Sequence, residues 1–192
     1  YCLTVEPKTA LAHFVNEGKI QPVDDEAAAS QFLILLQRLR ENGFVHYEIS
    51  NFGKPGCFSQ HNSNYWKGVP YIGFGPSAHS YDGTNRRWNM PNNARYAAGL
   101  ELGETYWENE LLTNEQRYNE YVMIRLRTMW GCDAAEISSR FGESCLIHFE
   151  KEAALYLASG ELLFADNVYT LSDQGKLMAD RVASDLFFIA AK

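Results

Sequence analysis

The sequence predicts an α/β protein in two parts, residues 1–110 and residues 111–192. In the first 50 residues, apolar runs, a helical pattern and a glycine turn follow each other as strand, helix and strand. This order is typical of a βαβ unit and indicates a parallel sheet. After Thr113 the patterns predict three helices, a hairpin and a final helix, which together indicate a helical, winged-helix-like domain. We place the domain boundary between Leu100 and Leu112.

The N-terminal elements are predicted from spacing and from stop signals. "YCLTV" has the pattern of a strand, and Lys8 to Glu17 has that of a helix ending near Gly18. A second helix is expected from Ala27 to Asn42, after an acidic run that suits a helix N-terminus. "FVHYEIS" follows as the next strand. Because the chain opens in mid-strand and without Met, we expect it to be a fragment of a longer protein.

The C-terminal elements carry clearer local signals. Thr113 and Gln116 form the pattern of a capping box, followed by a helical apolar stripe. Two further helices are predicted at residues 133–141 and 144–158, each ending at a glycine. The pair Asp166-Asn167 between two apolar runs predicts a tight hairpin. The last helix is expected at residues 173–189.

Composition argues for a soluble, cytoplasmic protein without a nucleic-acid partner. The apolar fraction is 46% and the net charge is −7. No apolar run approaches the roughly 20 residues that cross a bilayer, so membrane contact would be peripheral at most. The winged-helix-like domain has eight Lys and Arg against twelve Asp and Glu. Since a DNA-binding helix needs basic and amide side chains, we expect this domain to dock rather than to bind DNA.

The four cysteines, Cys2, Cys57, Cys132 and Cys145, stand far apart. No two of them have the two- to four-residue spacing of a zinc or iron–sulfur site. We therefore expect no iron–sulfur cysteines in this chain, and idle thiols in a reducing compartment.

The segment from Asn51 to about Glu110 is expected to hold the functional residues. It is long and irregular, and it combines aromatic rings, amides and a histidine in "HNSNYW". His61 is the histidine most suited to bind iron or another metal, the alternative being a histidine that holds the loop through Asn62. "GFGPSAHS" fits either a tight turn or a backbone that a ligand approaches closely.

These segments resemble a known family. "YEISNF" with "KPG", then "HNSNYW", then "GFGPSAHSY" resemble the oxygen-independent coproporphyrinogen III oxidase-like family of radical SAM proteins, and in particular its heme-chaperone (HemW) branch. The resemblance implies the C-terminal part of a radical SAM (β/α)6-type partial barrel, followed by the helical domain. It also implies S-adenosyl-L-methionine (SAM) and a [4Fe–4S] cluster in the full-length protein, with the cluster cysteines outside this chain.

The resemblance further implies which residues bind ligands. His61 corresponds to a ligand of heme iron, and a porphyrin would lie against its neighbours Asn62, Tyr65 and Trp66. Gly53 and the pair Ala78-His79 match positions where relatives contact SAM through the backbone, although Ala is more usual than Gly at the first. No catalytic residue is assigned.

Two functions follow as expectations. The first is a heme carrier that delivers heme to an acceptor protein. The second is an oxidase that decarboxylates coproporphyrinogen III to protoporphyrinogen IX, which would require Arg or Lys side chains for several propionates. A chain of this length would be inactive alone in radical chemistry, because it lacks the cluster cysteines. An unpaired barrel edge at "YCLTV" or "FVHYEIS" predicts self-association or rearrangement of the N-terminal part.

Overall fold

The computed structural model describes residues 4–189. Within this range the chain divides into two compact units, one ending at Phe58 and the other beginning at Ser59. Each unit is described by itself. The domain boundary near residue 110 is a different division, and it stays a prediction.

The first unit contains two helices and a hairpin, namely α1 (Ala10–Asn16), α2 (Asp25–Glu41), β1 (Val45–Glu48) and β2 (Asn51–Gly53). The predicted helices are confirmed to within two residues. α1 begins where the Thr9 side chain accepts a hydrogen bond from the Ala12 amide, and α2 where Asp24 accepts from the amides of Glu26 and Ala27. These caps satisfy backbone donors that the first helical turn leaves free.

The strand predicted for "FVHYEIS" is present, but its partner is different from the predicted one. β1 pairs antiparallel with β2, with an irregularity between His46 and Glu48. All strand pairs among the described residues are antiparallel. The predicted parallel partner, "YCLTV", begins with residues 1–3, which lie outside the described residues, and Thr4 and Val5 are not in a strand.

The first part of the second unit is more regular than the sequence predicted. It contains α3 (Gln60–Trp66), β3 (His79–Tyr81), β4 (Asn85–Asn89), α4 (Asn93–Leu102) and β5 (Trp107–Leu111). The three strands form one antiparallel sheet in the order β3-β4-β5. The prediction of an irregular segment was therefore wrong here. The alternation of apolar and polar residues that predicts a strand is absent here, because these strands carry Asn, Arg, Trp and Glu instead of alternating aliphatic residues.

The rest of the second unit has the predicted order of elements. Its helices and strands are α5 (Asn114–Leu126), β6 (Cys132–Asp133), α6 (Ala134–Phe141), α7 (Glu143–Ser159), β7 (Leu162–Ala165), β8 (Val168–Leu171) and α8 (Ala179–Asp185). The capping box at Thr113 and Gln116 is present. Asp166 and Asn167 both have positive φ, as a type I′ hairpin turn requires. The sheet order is β6-β8-β7.

The last predicted helix is shorter than expected. A 3₁₀ turn, Gly175–Met178, precedes α8, and α8 ends at Asp185 instead of Ile189. The turn lies close to the chain before β7, since a Cβ at Gly175 would stand 2.1 Å from the Glu161 carbonyl oxygen. That close approach is a long-range contact, which helical spacing cannot reveal.

The core of the second unit lies between its helices and the β6-β8-β7 sheet. Its largest buried side chains include Tyr118, Phe149, Leu126, Ile137 and Leu186. Tyr118 donates a hydrogen bond of 2.9 Å to the Leu186 carbonyl oxygen, so its buried hydroxyl is satisfied. Among the described residues, none of the helices combines the length and the apolar character needed to cross a membrane.

Candidate functional site

The motif "HNSNYW" forms most of helix α3 instead of a flexible loop. The Ser59 hydroxyl caps the helix by accepting a 3.3 Å hydrogen bond from the Asn62 amide. The helix ends just before Gly68, whose positive φ of 67° favours glycine. The N-terminal cap and the terminating glycine delimit a helix of seven residues. The aromatic residues therefore lie on a regular element. The expectation of an irregular segment at this motif is corrected by this geometry.

His61 is exposed in the first turn of α3. Its ring meets the Tyr65 ring edge-on, with centroids 4.8 Å apart, because residues four apart share one helix face. Within residues 4–189, neither ring nitrogen of His61 has a hydrogen-bond partner. The alternative of a histidine that holds the loop through Asn62 therefore has no support, and the side chain is exposed.

A cavity of about 460 Å³ lies beside α3 in the second unit. Three of the four predicted heme contacts line it, namely Asn62, Tyr65 and Trp66, whereas His61 does not. Tyr65 also stands edge-on to Tyr71, with centroids 4.7 Å apart. The remaining lining comes from the chain after α3, from β3 and β4, and from the helices α5 and α6: Lys67, Gly68, Val69, Tyr71, Tyr81, Arg86, Arg117, Glu120, Tyr121, Ile124, Arg125, Glu136 and Arg140.

The cavity wall is aromatic and basic. Five basic side chains line it against two acidic ones, although the whole chain is acidic. Arg86 is paired with Glu120. Glu136 accepts from Arg140 at 2.5 Å and from the Tyr121 hydroxyl at 3.0 Å, and it lies 3.6 Å from Arg125. The two carboxylates therefore leave part of the positive charge of the wall uncompensated.

Several buried donors of this wall lack partners. The indole Nε1 of Trp66 and the Nε atoms of Arg117 and Arg125 are buried, and no acceptor among residues 4–189 reaches them. Buried donors are normally paired, so these atoms suit a ligand that brings acceptors. Burial raises the pKa of Tyr81, against the opposing effect of nearby guanidinium groups, and it also raises the pKa of Tyr71. Both phenols are therefore neutral near pH 7.

The predicted SAM-contacting residues lie in two different units. Gly53 is buried in β2, and a Cβ there would stand 2.8 Å from the Phe58 ring, so Ala at this position requires that ring to move. Ala78 already uses its backbone: its amide donates to the Gly75 carbonyl at 3.3 Å, and its carbonyl accepts from the Asn89 amide at 2.9 Å. His79 begins β3 and is exposed. A SAM site at these residues stays a prediction.

Two further histidines and the described thiols do not line the cavity and have the following surroundings. The His46 ring stacks on Phe52 with centroids 4.3 Å apart, and His148 lies 2.9 Å from the Phe187 carbonyl oxygen. Cys57 is an exposed thiol, whereas Cys132 and Cys145 are buried, and burial raises the pKa of both. Cys2 lies outside the described residues. Over residues 4–189, no three metal-binding side chains come together.

The contribution of α5 and α6 to the cavity was not predicted. Arg117, Glu120, Tyr121, Ile124 and Arg125 fall at positions 0, 3, 4, 7 and 8 of one helical stripe, which places them on one face of α5. This mixed polar stripe was a usable signal. Function was expected only before residue 110, because the acidic composition of the C-terminal domain indicated a docking module.

Comparison with known proteins agrees with this architecture. Residues 112–178 match the family model of the HemN C-terminal domain. The fold resembles that of coproporphyrinogen III oxidase (HemN) from Escherichia coli, a radical SAM enzyme, with a TM-score of 0.63 over 92% of this chain and 45% of that one, at 16% identity. The described residues thus form an α/β structure like the C-terminal portion of a radical SAM enzyme.

Sequence relatives narrow the assignment. The heme chaperone HemW of Mycobacterium tuberculosis is 33% identical over 189 residues, which are 97% of this chain and 46% of the relative. HemW of Bacillus subtilis is 30% identical over 95% of this chain and 48% of that protein. The chain therefore resembles the oxygen-independent coproporphyrinogen III oxidase-like family, on its HemW side. It spans about half the length of the curated relatives it matches.

Proposed function

We propose that this chain binds heme at helix α3, as part of a HemW-like protein that delivers heme to an acceptor protein. The observation that carries the proposal is the position of α3. It presents an accessible histidine at its exposed start and lines an aromatic, basic cavity with the residues that follow. Heme is recognised through its iron, its flat apolar ring and its propionates, and this surface offers a partner for each.

His61 supplies the iron ligand in this proposal. A neutral imidazole is a common ligand of heme iron, and the ring is exposed with both nitrogens free among the described residues. Tyr65 and Trp66 lie one turn further along α3, where aromatic rings can cover a porphyrin face. The names of the HemW relatives support heme as the bound molecule.

The further cofactors are proposed for the whole protein only. SAM and a [4Fe–4S] cluster fit the radical SAM name of the structural neighbour. The residues that the structure describes do not fit the cluster, since they bring no three cysteines together. No chemical step through it is therefore derived for this chain.

The oxidase remains a second candidate because of one observation. Lys67, Arg86 and three arginines of α5 and α6 converge on the cavity, and an oxidase acting on coproporphyrinogen needs such cations for the propionates. The two candidates differ in the role of iron. Coproporphyrinogen contains no metal, so an oxidase has no use for an iron ligand at His61, whereas a heme carrier does.

The test is a hemin titration of this chain, followed in the Soret region. We expect saturable binding with a shifted Soret band, and at least about tenfold weaker binding by His61→Ala, which corresponds to about 1.4 kcal/mol. The matched control is His13→Ala, which removes an exposed histidine from α1. It should bind hemin as the parent chain does.

Equal binding by the parent chain and by His61→Ala would show that His61 is not the ligand. Binding of metal-free coproporphyrin that is as tight as that of hemin, and indifferent to His61, would favour the oxidase. A folded parent chain that binds neither molecule would contradict the proposal for this chain.

A further inference from the structure

The part of the cavity wall that comes from α5 and α6 has a different chemistry from α3. It contains three arginines, Arg117, Arg125 and Arg140, together with two carboxylates, Glu136 and the Glu120 that pairs with Arg86. The chain as a whole carries a net charge of −7, so its overall charge does not attract an anion. A local cluster of basic groups in a concave site is what makes this one place attractive to an anion.

Arg117 is the basic residue of this wall that most clearly lacks an acidic partner. Its only hydrogen bond among residues 4–189 is from Nη2 to the Asn114 side-chain oxygen, at 3.1 Å, which leaves its charge uncompensated by any carboxylate there. The Asn114 side chain is itself held in place, because its Nδ2 donates a 2.8 Å hydrogen bond to the Phe141 carbonyl oxygen. Asn114 therefore positions the guanidinium group while its Nε stays buried and unpaired.

Glu136 shows how this wall binds a carboxylate. It is contacted by Arg140, by the Tyr121 hydroxyl and, at 3.6 Å, by Arg125. One carboxylate thus serves two guanidinium groups, and the buried Nε of Arg125 still lacks an acceptor. The wall has donors for at least one more carboxylate, since a guanidinium fork matches the two oxygens of that group.

We propose that Arg117 and Arg125 bind a propionate carboxylate of a porphyrin whose ring lies against the aromatic residues of α3. This proposal rests on the proposed function in taking a porphyrin as the ligand, but it does not depend on iron. Lys67, which lies over the Trp130 ring with Nζ 4.9 Å from the centroid, adds a further cation at the cavity.

The size and the lining of the cavity favour a porphyrin that carries carboxylates over a small anion. Its volume of about 460 Å³ is that of a site for a whole organic ligand, which a lone phosphate or carboxylate would leave largely unfilled. Tyr65, Trp66 and Tyr71 supply flat apolar surface within the same cavity as the arginines. A porphyrin ring with carboxylates on one edge can contact the aromatic residues with its face and the arginines with its carboxylates.

The test uses metal-free protoporphyrin IX and its dimethyl ester, which differ only in whether the propionates are charged. Binding to the full chain is followed by porphyrin fluorescence at one low detergent concentration. We expect the diacid to bind at least about tenfold more tightly than the ester, and Arg117→Gln to remove most of that preference without changing ester binding. The matched control, Arg127→Gln, removes an arginine just past α5 that pairs with Asp180 outside the cavity.

Either of two results would overturn the inference: equal binding of diacid and ester by the parent chain, or an unchanged preference in Arg117→Gln. The first comparison uses no variant, so it decides the question even if Arg117→Gln fails to fold. Loss of the preference in the Arg127→Gln control would equally count against it, because the effect would then be general charge.

The two proposals can fail separately. Loss of hemin binding in His61→Ala with an unaltered preference for the diacid would support both. A preference for the diacid in a chain whose hemin binding ignores His61 would leave the carboxylate site standing and contradict the iron ligand. Hemin binding through His61 without any preference for the diacid would support the iron ligand and contradict the carboxylate site.

Discussion

Neighbouring residues of α5 serve two different purposes. Tyr118 and Val122 are fully buried in the core, whereas Arg117, Tyr121 and Arg125 line the cavity. Because successive helical residues point about 100° apart, one helix can pack a core on one side and present charges on the other. The position of the arginines therefore depends on how firmly the apolar side is fixed.

The hydroxyl of Tyr118 provides a test of that anchoring. Tyr118→Phe removes the donor and leaves the Leu186 carbonyl oxygen without its buried partner, so we expect a loss of about 1–2 kcal/mol in the free energy of unfolding. Urea unfolding followed by far-UV circular dichroism would measure it. The control is Tyr156→Phe, whose hydroxyl bonds Asp185 at the surface and should cost less than about 0.5 kcal/mol. Equal losses in both variants would contradict the anchoring role.

At the scale of the elements, the winged-helix-like part is closed by a tight turn. Gly131 lies between α5 and β6 with a φ of 60°, and a Cβ there would stand 2.2 Å from the Tyr169 carbonyl oxygen of β8. β6 pairs with β8, so this turn sets the approach of α5 to the sheet. The glycine is required both by its backbone angle and by lack of space.

Two alanine substitutions separate these requirements. Gly160, after α7, also has a positive φ, of 87°, but a Cβ there would meet nothing within 4 Å. Gly160→Ala should therefore cost only the conformational penalty, about 1 kcal/mol. Gly131→Ala should exceed it by at least about 1 kcal/mol because it adds overpacking. Thermal unfolding of the two variants gives the comparison, and equal costs would show that the turn relaxes freely.

At the scale of the whole molecule, the charge is distributed unevenly. The chain is acidic, yet five of its 17 basic residues line one cavity, which concentrates the attraction for an anionic ligand there.

The sequence by itself determined the local elements and the family. The acidic start of α2, the capping box at Thr113, the Asp166-Asn167 turn and the order of the C-terminal helices were predicted correctly, because each signal lies within a few residues of the structure it specifies. The short motifs around His61 were also sufficient to identify the family, which the comparisons confirm.

Only the tertiary structure decided which strands pair and what surrounds α3. The pairing of β4 with β5 and the basic wall of the cavity join distant parts of the chain; Arg86 and Glu120, for example, are 34 positions apart. Periodicity shows which face of an element is apolar or charged, but not which other element meets it. That choice depends on packing and on the pairing of buried polar groups across the whole unit.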